Sequence, residues 1–246
     1  MTTNVFDGRV GSIATDSRWS VQRGRWLLYL DDTNFDKVEI FKTTAFMFAG
    51  KGRLIEQWKL WIRSEPADDS GQPPVEGISI NGIDMETSAI RYAEGKSITH
   101  ESSIFAGSGA LHAVRCWAAN RDARRSVETA KQFDPATGGE VKYVDFKTKQ
   151  HNLGSNIFAP STIDDIDRAV ATRGSIMDIG TLKTGAIPFK LSELAANNAE
   201  IKQIQADIAA GKLSAEAPCE AMYSEWTPEE KGKLKAFLGD VFGWKK

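Results

Sequence analysis

Hydrophobic and polar positions change period several times along the chain, and each change marks an element. From the N-terminus to about Ser20 the pattern reads strand, turn, strand, with Asp7-Gly8 as the turn because both residues tolerate positive φ. A second pair is predicted from Trp26 to Leu30 and Lys37 to Phe41, joined by the turn Asp31-Asp32-Thr33-Asn34. Ala45-Phe46-Met47-Phe48-Ala49 reads as a buried strand ending at Gly50. Beyond Gly52, the apolar residues Leu54, Ile55, Trp58, Trp61 and Ile62 recur at helical spacing, so an amphipathic helix runs to about Arg63. Glu65 to Glu76, with Pro66, Pro73, Pro74 and Gly71, can neither continue that helix nor enter a central strand.

Short strands follow over Gly77 to Asp84, Ser88 to Tyr92 and Ser97 to Glu101, leading to Ile104-Phe105. Gly107-Ser108-Gly109 opens a helix over Ala110 to Asn120, and Ala123 to Phe133 forms a second one stopped by Asp134-Pro135. Val141 to Phe146 is a strand after the Gly138-Gly139 turn. The remainder changes character, with helices predicted over Ser161 to Arg173, over Leu191 to Ala210, and from the capping box Thr227-Pro228-Glu229-Glu230 onward. Blocks of strands separated by helix pairs indicate sheets covered by helical layers rather than alternating βαβ units.

Composition narrows the class. The 246 residues are 41% hydrophobic and 26% charged, as in an ordinary globular protein and unlike a disordered or fibrous one. Lys plus Arg number 31 against 33 Asp plus Glu, a balance without the basic footprint of a nucleic-acid or acidic-membrane binder. Cys116 and Cys219 are too few for a disulfide framework or a thiolate zinc site. The N-terminus lacks a basic region and an apolar core, and no stretch approaches a membrane span, so the expected location is the cytoplasm. His100, His112 and His151 show no metal-ligand spacing, and no metal or cofactor is expected. Arg121, Arg124 and Arg125 read as a solvated basic face, Trp58 and Trp61 as core, and Cys116 as a small buried hydrophobe.

Four landmarks in order carry a resemblance. They are Thr2-Thr3 behind the initiator Met, Ile13-Ala14-Thr15-Asp16-Ser17-Arg18, Asp36-Lys37-Val38 with Phe48-Ala49-Gly50, and Ala106-Gly107-Ser108-Gly109-Ala110. Over roughly residues 1 to 146 the chain resembles proteasome β subunits and, more closely, the peptidase component of the bacterial heat-shock ATP-dependent protease. The resemblance implies an α+β fold, a four-layer αββα sandwich of the N-terminal nucleophile (Ntn) hydrolases. It implies a domain over 1–146, and the helical patterns beyond it leave 147–246 as a mainly helical extension, which the apolar residues Phe237, Leu238 and Phe242 are expected to pack onto that domain. It further implies Thr2 Oγ as nucleophile after removal of Met1, the freed α-amine as its base, and Lys37 as a cation serving the nucleophile more than the core. Asp16 would orient Lys37, Ser108 would support the amine, and the Gly50 backbone N–H would face the oxyanion. The implied activity is hydrolysis of peptide or amide bonds through an acyl-enzyme.

Taken singly, each residue has a plainer reading. Thr2 is then the second residue of an ordinary strand, Asp16-Ser17 a turn cap, Lys37 a solvated lysine on an edge strand, and Gly107-Ser108-Gly109 only a turn before a helix. The corresponding alternative function is an inactive Ntn-fold binding protein, such as a cytosolic inhibitor or immunity protein for a toxin. The chain also departs from the family in three ways: a shorter hairpin between Thr2 and Asp16, one helix where two are usual before the Glu65 to Glu76 loop, and about a hundred residues beyond Phe146. The last two favour a monomer or small oligomer over stacked rings, with tail helices covering sheet surface that the missing helix leaves bare.

Overall fold

The computed structural model describes residues 2–31, 33–180 and 188–244; Met1 and Asp32, named above, lie outside the described residues. Two antiparallel sheets, seven α-helices and a short 3-10 helix (Glu220–Tyr223) make up an α+β chain among those residues. The first sheet joins β1 (Asn4–Asp7), β2 (Ser12–Asp16), β9 (Ile98–His100), β10 (Ser103–Ala106), β11 (Val141–Asp145) and β12 (Gln150–His151) in the order β12-β11-β2-β1-β10-β9. The second runs β14 (Phe189–Lys190), β13 (Ser175–Asp178), β4 (Trp26–Leu30), β3 (Trp19–Arg23), β15 (Glu216–Ala217), β6 (Thr44–Lys51), β7 (Ile78–Asp84) and β8 (Ile90–Tyr92), with β5 (Val38–Phe41) also paired to β6.

Strand alternation distributes the core. In β1, Val5 packs with Ala14, Phe105 and Trp117 beneath α2 (Ala110–Asn120) and α3 (Ala123–Phe133). Its neighbour Phe6 meets Ile13, Ile104 and Val144 on one side and Val38, Met47 and Ile83 of the second sheet on the other. In β6, Met47 points toward the first sheet, whereas Phe46 and Phe48 enter the largest cluster. That cluster is filled by α1 (Gly52–Arg63), α4 (Ile163–Arg173), α6 (Ala199–Ala209) and α7 (Pro228–Phe242) through Ile55, Trp58, Ile166, Ile204 and Leu234. Phe237 of α7 lies 5.7 Å from the Phe46 ring and 5.6 Å from Tyr92.

Several expectations need correction. The strand Trp26–Leu30 does not form a hairpin with Val38–Phe41; it pairs with β3 across Gly24-Arg25 and with β13 on its other edge, while β5 turns directly into β6. The helix expected over Leu191 to Ala210 is divided into α5 (Leu191–Ala195) and α6, because the Asn198 side chain accepts from the amides of Glu200 and Ile201 and so caps a new helix. The tail also supplies strands as well as helices, since Ile176 and Met177 of β13 face opposite apolar clusters. Cys116 is half-exposed rather than buried, with its sulfur 3.0 Å from Thr129 Oγ1 and accepting from Asn120. The arginine cluster does face solvent, with Arg124 and Arg125 exposed, though Arg124 also lies 3.4 Å over the Tyr143 ring and the half-exposed Arg121 4.4 Å over Trp117.

Candidate functional site

The site forms where the start of β1, the end of β2, the residue before β5 and the loops flanking α2 and α3 converge. Thr2 precedes β1, and pairing of β1 with β2 in the register Asn4 to Thr15 brings Asp16 alongside it. The Thr2 hydroxyl donates to Asp16 Oδ1 at 2.6 Å, and the Thr3 amide donates to the same oxygen at 2.9 Å. Lys37 Nζ is the third donor to Oδ1, at 2.8 Å. Asp16 Oδ2 accepts from the amides of Arg18 and Gly138 at 3.2 and 3.1 Å. Thr2, Asp16 and Lys37 are all at most 1% exposed.

Lys37 is thus neither solvated nor merely a cation at the surface. Burial pushes its pKa below the ordinary lysine value, and the Asp16 carboxylate pulls it back up. Its ammonium also lies 5.6 Å from the centre of the Trp19 ring, so the side chain belongs to the packing as well as to the charge pair.

Ser108 closes the arrangement from the opposite side. Its Oγ accepts from the Thr2 backbone N at 3.2 Å and donates to Asp134 Oδ2 at 3.0 Å. Asp134 also accepts from Thr137 Oγ1 at 2.6 Å, and Thr137 meets Thr3 Oγ1 at 2.8 Å. Gly107, at φ +89°, permits this approach because a Cβ there would stand 2.2 Å from the Thr2 carbonyl oxygen. Gly50 lies near the end of β6, paired with Ile78 on one side and Ala217 on the other.

No protein-family model matches the chain, and no curated protein matches it. Among solved structures, the crystal structure of eukaryotic HslV from Trypanosoma brucei aligns at 17% identity. The alignment covers 58% of this chain and 99% of that one with a TM-score of 0.29, a likeness too slight to carry fold or activity across.

The structure brings Thr2, Asp16, Lys37 and Ser108 into one hydrogen-bonded group and places Gly50 in strand pairing with β7 and β15. Asp134, Thr137 and Gly138 complete the group but were not singled out by sequence. Asp134-Pro135 reads locally as a helix stop and Gly138-Gly139 as a turn, so neither carries a signal of what it bonds. A cavity of about 400 Å³ opens beside the group, lined by Gly107, Ser108, Leu111, Glu94, Pro218 and Cys219. Among the described residues no cluster of His, Cys, Asp and Glu is arranged to hold a metal ion, and no helix is long and apolar enough to cross a membrane.

Proposed function

We propose that the chain is a proteasome-like N-terminal threonine hydrolase, built on the four-layer αββα Ntn sandwich, that cleaves peptide or amide bonds after loss of Met1. The observation that carries this reading is the convergence of the Thr2 hydroxyl and Lys37 ammonium on one buried oxygen of Asp16. With Met1 removed, Thr2 carries a free amine whose ordinary pKa of about 7.7–8.0 suits a base at neutral pH. That amine takes the hydroxyl proton as Oγ bonds to the substrate carbonyl carbon. The tetrahedral intermediate then expels the substrate amine, which leaves with the proton. Water next attacks the acyl ester and frees Oγ. Lys37 holds positive charge beside the reacting oxygen, Asp16 orients Lys37, and Ser108, itself fixed by Asp134, positions the amine. Gly50 is the proposed oxyanion donor. The protein acts without metal or organic cofactor in the cytoplasm, as a monomer or small oligomer, on a peptide or protein substrate.

Complete burial of Thr2 favours the second reading, an inactive Ntn-fold protein that binds a protein partner in the manner of an inhibitor or immunity protein. One experiment separates the two. The intact mass of the natively expressed chain, before and after prolonged exposure to a peptide epoxyketone, should show loss of Met1 and an adduct absent from Thr2→Ala. Retention of Met1 throughout the population overturns the hydrolase reading.

A further inference from the structure

We propose that residues 214–219 are a built-in strap that fills a slot one strand wide beside Thr2 and keeps the site closed until it is displaced. In the second sheet β3 and β6 do not pair with each other; β15 stands between them. Glu216 pairs with Ser20 of β3 and with Lys51 of β6, and Ala217 pairs with Gly50. Without β15 the sheet would fall into two halves whose edges face each other across a gap, each with open backbone donors and acceptors. Only an extended segment satisfies both edges at once, and here the chain supplies its own.

The strap reaches the candidate nucleophile through one residue. The Ser108 amide donates to the Pro218 carbonyl at 3.2 Å, while Ser108 Oγ holds the Thr2 nitrogen. At the other end the Gly52 amide donates to the Ala215 carbonyl at 3.2 Å, and a Cβ on Gly52 would lie 2.2 Å from that oxygen, so the glycine is what admits the strap backbone. Ala215, Ala217 and Cys219 are buried in strict alternation, and Glu216 and Pro218 between them are half-buried on the other face, where Pro218 lines the cavity beside Ser108. Asp167 clips the entry, accepting from the Ala215 amide at 2.6 Å and from Ser214 Oγ at 2.7 Å.

The same features make the strap the natural element to move. It is the shortest interior strand of its sheet, two residues against four to eight in the other interior strands, and its inward side chains are small and bury little apolar area. Its closure stands on pairing alone, whereas its consequence for catalysis rests on the reading of Thr2 given above.

The test uses the full chain with Thr2→Cys in a Cys116→Ser background and follows maleimide addition at the introduced thiol by peptide mass. Ala217→Asp, which puts a charge at a fully buried position, displaces the strap. Asp167→Ala loosens it more gently should the first variant fail to fold. Addition at least tenfold faster in either loosened chain is expected; equal rates, or rapid addition before loosening, overturn the strap. In the loosened chain with native Thr2, epoxyketone adduct should form faster than in the unaltered protein. A faster thiol with no adduct on Thr2 would uphold the strap while sinking the hydrolase reading, and a readily labelled Thr2 in the unaltered chain would do the reverse.

Discussion

Lys37→Met tests the centre of the site. Methionine keeps the unbranched stem near Trp19 and removes the ammonium, leaving Asp16 a buried carboxylate without its counter-charge. Removing one partner of a buried ion pair costs about 3–5 kcal/mol. Asp16 retains four donors, the Thr2 hydroxyl and the amides of Thr3, Arg18 and Gly138, which hold the loss near the lower end, about 3 kcal/mol. In a chain of this length 1 kcal/mol moves the melting temperature by roughly 2–4 °C, so a fall of roughly 6–12 °C is expected. This replaces the expectation from sequence that Lys37 serves the nucleophile with little bearing on the core. The assay is thermal and denaturant unfolding of Lys37→Met, Asp16→Asn and the double variant. Neutralising both partners should recover about 2 kcal/mol relative to the sum of the singles. Effects that add within about 0.5 kcal/mol would show that the two side chains do not act as a pair, and the account of the site would fail with them.

Two further outcomes follow from the same geometry. Burial pushes the Cys219 thiol up to about 12 from an ordinary value near 9.0; its folded value is the higher one, so the stability it gives is whole below pH 9 and is lost as pH rises toward 12. Unfolding of Cys219→Ala at stepped pH should lack that loss, and pH profiles that run parallel to the unaltered chain would refute it. Truncation after Phe146 removes β13, β15 and the helices that cover Phe46 and Phe48, so the shortened chain should be insoluble or self-associate. A soluble fragment of unchanged stability, with solution mass in proportion to its length, would show the tail to be an independent appendage.

What the sequence made legible was local. Leu54, Ile55, Trp58 and Ile62 mark one face of α1, and Thr227 with Glu230 mark the start of α7, where the reciprocal capping box forms as the residue types require. Pairing was less legible because it depends on partners distant in the chain. Trp26 to Leu30 carries nothing that says whether its neighbour is the next strand or one a hundred and fifty residues away, and it has β3 on one edge and β13 on the other. Ala215 to Cys219 is too short and too small to read as a strand, and it becomes one only because two edges await it. In the site, Thr2, Asp16, Lys37 and Ser108 stood out because the motifs around them, in order, resemble those of a known family. Asp134 and Thr137 did not, because a carboxylate after a helix and a threonine in a turn are ordinary in themselves.

Under the hydrolase reading, the two oxygens of Asp16 divide the work of the site between structure and chemistry. Among the described residues Oδ2 accepts from backbone amides alone, those of Arg18 and Gly138, and so ties the end of β2 to the loop between α3 and β11. Any protein of this shape needs an acceptor there. Oδ1 gathers a hydroxyl, an amide and an ammonium, of which the Thr3 amide alone is backbone. Under the hydrolase reading the other two serve Thr2; for folding alone, an apolar residue in place of Lys37 with a neutral acceptor in place of Asp16 would avoid the cost of burying charge. The double variant Lys37→Met with Asp16→Asn is therefore decisive beyond stability. It should fold and keep the Gly52 and Ser108 amides protected by the strap, yet lose all epoxyketone adduct on Thr2 after the strap is loosened. Adduct formation at an undiminished rate in that background would show that the buried pair is architecture alone and that Thr2 reacts, if it reacts, without it.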